Sequence, residues 1–460
     1  MSTQHSINAK AFNKDHDKVT WHDQTFWVLR EKRDQMARDI PEWETLRQLA
    51  SDIKRHTVTH LADYLEQFSA NLERHGVIVH WAEDAQQMNE MVYGILESHK
   101  VQKLVKSKSM LTEECGTNSY LEQRGIDVVE TDLGERILQL LHKKPSHIVV
   151  PASHIKREEV GKMFEEKGIS KDIGNYDPTY LTQCARESLR NEFLEAGAGM
   201  TGCNFGVAAT GDVVVCTNEG NADMATSVPK LHIVVMGIEK IVPDYKSLAV
   251  FQRLLCRSAT GQPTTGFTSH FRQARPGGEM HVVIVDNGRS GILANEDHWE
   301  TLKCIRCGAC MNTCPVYRRS GGYSYTYFIP GPIGINLGML HDAKTYSDNV
   351  SACTLCLSCD NVCPAKVNPG SQVYLWRQQL DFLGKADRMK KTMSKAMTVI
   401  YNSPSLYHGA LSVAPVLNYV PSSLLHWERL NPWSVGHDMP QFASTTFHHW
   451  WKDKKKKGKQ

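Results

Sequence analysis

Eight of the thirteen cysteines fall between Cys304 and Cys363. Cys304, Cys307, Cys310 and Cys314 precede Pro315, and Cys353, Cys356, Cys359 and Cys363 precede Pro364. Both runs read C-x2-C-x2-C-x3-C-P, the spacing by which thiolates hold cubane [4Fe–4S] clusters. Three close thiolates take three corners of a cube, and the fourth, beside the proline, serves the other cluster. The expected ligand sets are Cys304, Cys307, Cys310 and Cys363 for one cluster, and Cys353, Cys356, Cys359 and Cys314 for a second. A zinc site uses two ligand pairs with no trailing proline. A disulfide framework belongs to short secreted chains, not to one of 460 residues.

The rest of the chain must position these motifs. Its length suggests about three domains. The net charge of +3 comes from mixed signs, which argues against a nucleic-acid surface. No apolar run approaches the roughly 18 residues of a membrane span. The longest, His147–Ala152 and His232–Ile238, read as buried strands. The N-terminal stretch has no apolar signal core. Cys115, Cys184, Cys203, Cys216 and Cys256 show no pairing pattern and are expected as small buried residues in a reducing cytoplasm.

Residues 1–75 read as a helical extension packed on the following domain, with Val58, Leu61, Leu65, Phe68 and Leu72 on one helix face. Residues 76–295 alternate short apolar strands with amphipathic helices, which argues a layered α/β domain with a largely parallel sheet. Ser258–Gly278, rich in Thr, Gly and Pro, reads as loop. Residues 296–390 form the cysteine-bearing domain. The 38 residues between Cys314 and Cys353 are long for a compact β-rich ferredoxin, so a helical two-cluster domain is expected, with Arg318–Gly338 wrapped round it or forming a docking face. Residues 391–460 form a C-terminal extension: an amphipathic helix through Met389, Met393, Met397 and Ile400, then a tail in which six of the last nine residues are lysine. The simple reading of that tail is a disordered solubilising segment; the alternative is peripheral contact with a membrane surface or an acidic partner.

Two loops in the α/β region are candidate ligand sites. One runs from Lys106 and Lys108 towards a helix with Thr112 as its expected N-cap. Strand ends facing a helix N-terminus are where open α/β folds put ligands, and the simpler reading is a solvated basic turn. The other spans Gly197 to Asp212, with Gly202, Asn204 and Gly211, and continues to Glu219. It lacks the lysine of a phosphate-binding P-loop and does not match the dinucleotide fingerprint. It reads as a binding or interdomain loop, or as tight β-turn packing. Glu219 is the one acidic residue placed like a catalytic carboxylate; a turn carboxylate bonded to backbone N–H groups is the simpler reading.

The segments GMTGCNFGVAATGDVVVCTNEGN and HIVVMGIEKIVP, followed by the two cysteine motifs and by Asn431-Pro-Trp433, make the chain resemble the lactate utilisation protein B family over nearly its whole length. The resemblance implies an α/β domain distantly similar to sugar-phosphate isomerases and CoA transferases, plus a helical ferredoxin-like domain with two [4Fe–4S] clusters. It implies a cytoplasmic, flavin-independent-looking complex with a cysteine-rich subunit and a smaller protein of the same α/β (LUD) type. That complex oxidises L-lactate to pyruvate and passes electrons to an unidentified acceptor. It maps no catalytic residue onto this chain, and Glu219 sits in no CoA-transferase pattern.

On this reading the two clusters relay electrons one at a time. Lys303 and Arg306 lie in the first motif and Asp360 in the second, so the first cluster is expected to have the higher potential and to lie downstream. The rival reading is an enzyme or small-molecule-binding protein whose site is the α/β domain, with regulatory or structural clusters.

Overall fold

The computed structural model describes residues 3–385, 388–425, 427 and 441–457, so Asn431-Pro-Trp433 lies outside the described residues. The chain parts into two compact units, the first ending at Phe382 and the second running from Leu383 to the C-terminus.

The first unit contains ten strands: β1 (Ile78–Ala82), β2 (Lys103–Lys106), β3 (Asp127–Glu130), β4 (Ala198–Thr201), β5 (Phe205–Val207), β6 (Asp212–Thr217), β7 (Leu231–Gly237), β8 (Ile241–Val242), β9 (Phe267–Phe271) and β10 (Glu279–Val285). Six form a sheet in the order β1-β10-β7-β4-β2-β3, with every pair parallel. Its central strands are continuous apolar runs because both faces are covered. On β7 and β10 the period of two sorts the side chains between those faces. Ile233, Val235, Val283 and Val285 pack with Met88, Val92 and Leu96 of the helix Ala85–Ser98. Val234, Met236, Val282 and Ile284 pack with Leu61, Leu65, Phe68 and Leu72 of the helix Leu61–Arg74.

The domain is less simple than a single sheet. β5, β6, β8 and β9 form a second, mixed sheet in the order β8-β5-β6-β9. The glycine-rich stretch from Gly197 to Asp212 is therefore not a single loop: it holds β4 and β5, joined by turns. Ser258–Gly278 holds β9, an edge strand with mostly exposed residues that carries no apolar signal. His147–Ala152 is not a strand. The Ser146 amide donates to the Pro151 carbonyl at 3.1 Å, and the Val149 and Val150 amides donate to Nδ1 of His147 at 3.0 and 3.1 Å, so the segment curls on itself. Cys115, Cys184 and Cys256 are buried as expected, whereas Cys203 and Cys216 are only half-buried and face a cavity.

The N-terminal region is helical: Gln4–Phe12, His16–Arg38, Trp43–Thr59 and Leu61–Arg74. The apolar repeat from Val58 to Leu72 is split at His60, which has φ −120° and ψ 34°. The preceding Thr57-Val58-Thr59 is β-branched throughout, and its hydroxyls bond the Ile53 and Arg55 carbonyls, which weakens the helix there. The expected packing on the α/β domain is only half right. Phe26 of His16–Arg38 is buried with Tyr317 and Met311 of the cysteine-bearing region, and Trp43–Thr59 packs against both.

That region is helical and short-turned, with no strand between residues 299 and 379. Tyr325, Tyr327, Ile329, Ile333 and Ile335 are buried, so the Gly- and Tyr-rich stretch wraps the cysteine motifs and is not an exposed face. In the second unit, helices include Arg388–Tyr401, Pro404–Val413 and Phe447–Lys457. The lysine-rich tail thus forms a helix over its described residues. No helix of the described residues is long and apolar enough to cross a membrane.

Candidate metal centre and the cavity beside it

The two cysteine motifs fold alike because their backbones make the same two left-handed turns. Arg306 (φ 59°) and Leu355 (φ 54°) stand two residues after Cys304 and Cys353; Gly308 (φ 76°) and Leu357 (φ 57°) stand one residue after Cys307 and Cys356. Left-handed backbone at three non-glycine residues is costly and points to a constraint. Here it turns amides onto sulfur: Arg306 N–H donates to Cys304 Sγ at 3.4 Å, and Leu355 N–H to Cys353 Sγ at 3.3 Å. Tyr317 N–H and Val367 N–H reach Cys314 Sγ and Cys363 Sγ at 3.5 and 3.3 Å. Gly308 and Leu357 each open a short helix, Ala309–Thr313 and Ser358–Val362, and these two helices pack on each other.

That packing brings thiols together across the motifs. Cys304, Cys307, Cys310 and Cys363 line one small apolar cavity with Ile148, Ile305, Ile333 and Val367. Burial, and then the neighbouring thiols Cys304, Cys307 and Cys363, push the Cys310 thiol well above its usual range. Burial also pushes Cys314 up to about 11, with Cys353 and Cys356 as its charged neighbours. The donor set is sulfur only, enclosed by apolar side chains and reached by backbone N–H groups. That fits an iron–sulfur cluster, which is held by thiolates and tuned by hydrogen bonds to sulfur. Cys356 is exposed, so the Cys314 set reaches the surface, whereas the Cys304 set lies deeper.

Cations from distant elements surround the deeper set. Arg47 donates to the Cys363 carbonyl at 2.9 Å and to the Asp360 carbonyl at 3.2 Å; Arg33 donates to the Val362 carbonyl at 3.0 Å. Arg33, Arg47, the buried Lys54 and the half-buried Lys240 act electrostatically on Cys307, Cys363 and Cys304. Lys303 pairs with Glu300 at 2.9 Å and bonds Ser51 at 3.1 Å, just as Arg47 pairs with Glu44 at 2.7 Å and Arg33 with Asp34 at 3.0 Å. Around the second set stand Arg377 and Asp360. Asp360 accepts the Gly370 and Ser371 amides at 2.6 and 3.0 Å. Spacing found the thiols but none of Arg33, Arg47, Lys54 or Lys240, which no local pattern links to the motifs.

Beside the deeper set lies a larger cavity of about 500 Å3. It opens where the chain reverses across the parallel sheet, between β2 and β4, at their C-terminal ends. Of the loop residues singled out in the sequence, the structure brings Lys108, Gly202, Asn204 and Glu219 to its lining; Lys106 and Gly211 are not there. Lys106 is fully buried, paired with Glu130 at 2.7 Å and bonded to Thr112 Oγ1 at 3.1 Å, so it is not open to a ligand. Ser109, not Thr112, caps the helix Met110–Glu114. Gly211 (φ 76°) sits against Asn71 and Leu72, closing the β5–β6 turn. Glu219 is exposed at the rim and accepts the Leu133 amide at 3.2 Å. The cavity wall, and then Asp132, push its carboxyl up to about 7.

Three models of known families match the chain in succession. A LUD domain model matches residues 65–287, a 4Fe-4S dicluster domain model residues 300–367, and a model of the C-terminal region of lactate utilisation protein B residues 383–456. Lactate utilization protein B of Shouchella clausii is 40% identical over 446 residues, covering 94% of this chain and 92% of the relative. That of Geobacillus thermodenitrificans is 43% identical over 388 residues, covering 82% and 80%. An uncharacterized electron transport protein, YkgF, of Escherichia coli is 38% identical over 432 residues, covering 91% and 90%. With an α/β domain built on a six-stranded parallel sheet joined to an iron–sulfur dicluster domain, and relatives matched nearly end to end, this chain belongs to the lactate utilisation protein B family.

Proposed function

We propose that the chain is the iron–sulfur electron-transfer subunit of a cytoplasmic complex that oxidises L-lactate to pyruvate. In that complex it works with a cysteine-rich subunit and a smaller LUD-type subunit. The observation that carries the reading is the gathering of Cys304, Cys307, Cys310 and Cys363 round one cavity, three ligands from one motif and the fourth from the other. Cys353, Cys356, Cys359 and Cys314 make the reciprocal set. A [4Fe–4S] cluster takes up and releases one electron, so two such sets divide the electron pair that lactate yields.

The chain's own residues give the relay a direction. The second set reaches solvent at Cys356 beside Leu357, 43% exposed, where a partner subunit can approach. The deeper set is held in an apolar cradle ringed by Arg33, Arg47, Lys54 and Lys240, and positive charge stabilises the reduced, more negative state. Electrons therefore enter at the Cys356 side and run inward.

The test is EPR on the complex isolated anaerobically from its own cells, before and after L-lactate. A reduced [4Fe–4S] signal that appears with lactate supports the relay and its substrate together. A chain that dithionite cannot reduce reversibly would leave the clusters as structural pins and end the proposal.

A further inference from the structure

The 500 Å3 cavity is not needed by the relay, yet it is built like a ligand site. Lys108, Lys240 and Arg306 all line it, and the buried Glu239 is a charged neighbour of Lys240 and Arg306. Lys108 donates to the Val149 carbonyl at 2.6 Å, leaving two of its three N–H groups. Two further polar atoms are buried without a partner: Oγ of Ser107, a residue 2% exposed, and Nη1 of Arg306. Ser107 lines the same cavity. An unpaired buried donor is costly, and a ligand oxygen would recover that cost.

Two carboxylates, Asp132 and Glu219, stand on the lining with these three cations. Asp132 accepts the Glu135 amide at 3.2 Å and Glu219 the Leu133 amide, so both are engaged at the start of the helix Leu133–Leu140. Loops after parallel strands, at the point where the strand order reverses, are the usual ligand crevice of such sheets. Three cations and a hydroxyl suit a dianion better than a single carboxylate. The volume lies in the range of pockets that enclose cofactor-sized molecules and is far larger than a three-carbon acid requires.

We propose that this cavity binds a phosphate-bearing organic molecule of cofactor size, its phosphate held by Lys108, Lys240, Arg306 and the Ser107 hydroxyl. Ile148 and Cys307 belong to the walls of both this cavity and the cradle of the deeper thiol set. The bound molecule therefore sits against that set and alters its surroundings.

The full chain, with clusters reconstituted anaerobically, is titrated by calorimetry in the oxidised state with flavin mononucleotide, with NAD+ and with L-lactate. The expected result is saturable, one-to-one binding of flavin mononucleotide or NAD+, weakened at least tenfold in both Lys240→Met and Ser107→Val. Iron content and circular dichroism check that the variants fold. As a readout independent of the variants, the bound molecule changes the EPR spectrum of the dithionite-reduced chain. No binding by either phosphate-bearing probe overturns the proposal. So does binding of L-lactate alone, which would make the cavity a substrate site, and so does binding that both variants leave intact. Calorimetry on oxidised protein reads the ligand whether or not the chain relays electrons, so the two proposals fail separately.

Discussion

His232 shows how one buried side chain sets acid tolerance. It lies on β7, fully enclosed, with Nε2 at 2.9 Å from Thr201 Oγ1, and burial alone holds its pKa down to about 3. In the unfolded chain it titrates near 6.5. The folded state therefore binds fewer protons than the unfolded state between those values, and stability is lost as pH falls below about 6.5. At pH 5 the loss from this one residue is about 2 kcal/mol. Anaerobic denaturant midpoints at pH 7 and pH 5 should fall further apart in the wild type than in His232→Gln; an equal drop in both would refute the account. His147, also held down to about 3 by burial, adds to the same slope. Its Nδ1 accepts two amides, so Nε2 carries the proton and donates to Asn312 Oδ1 at 3.0 Å, tying the curled segment to the first cysteine helix. Neither role could be read from sequence. The cysteines could, because a cluster takes three ligands from seven consecutive residues, whereas a buried histidine depends on partners tens of residues away.

Individual elements were legible where periodicity survives burial and illegible where a segment is shaped by contacts outside itself. The helix Ala85–Ser98, capped by Asp84, and the apolar strands β7 and β10 follow their patterns closely. His147–Ala152 has a strand's composition, but its Val149 and Val150 amides are taken by His147, its Pro151 carbonyl by the Ser146 amide, and Ile148 faces the cysteine cradle. β9 pairs with β6 although its residues are largely exposed. The glycines between Gly197 and Asp212 were noticed for density, yet their reasons differ. At Gly199 on β4, an added Cβ would stand 1.7 Å from the Ala225 carbonyl oxygen, so the helix Asn221–Ser227 lies directly on the strand. Gly199→Ala forces that helix off the sheet and should cost on the order of 3 kcal/mol, as overpacking does. Gly94→Ala, where nothing lies within 4 Å, is the control and should be neutral or slightly stabilising in the same denaturation experiment. Comparable losses in both would show that the close approach is not what the position requires.

Across the first unit, the helices ahead of the α/β domain tie it to the cysteine region. Arg30 bonds the hydroxyls of Thr313 and Ser358, one from each cysteine helix, while Arg33 and Arg47 take the carbonyls that end the second motif. These arginines hold the two motifs in register and add positive charge to that of Lys303 and Arg306, the two residues singled out in the sequence. The direction proposed above rests on residues outside the motifs as well: the deeper set is surrounded by Arg33, Arg47, Lys54 and Lys240, the outer set by Arg377 and Asp360. A redox titration followed by EPR should give two midpoints, the higher belonging to the Cys304 set. Arg47→Gln removes one partly screened charge worth about 1 kcal/mol, so it should lower the higher midpoint by about 40 mV and leave the other nearly unmoved. Equal midpoints in the wild type, or a shift confined to the lower one, would mean that the relay does not run inward from Cys356. The acceptor would then have to meet the chain at its exposed thiol rather than beyond the buried one.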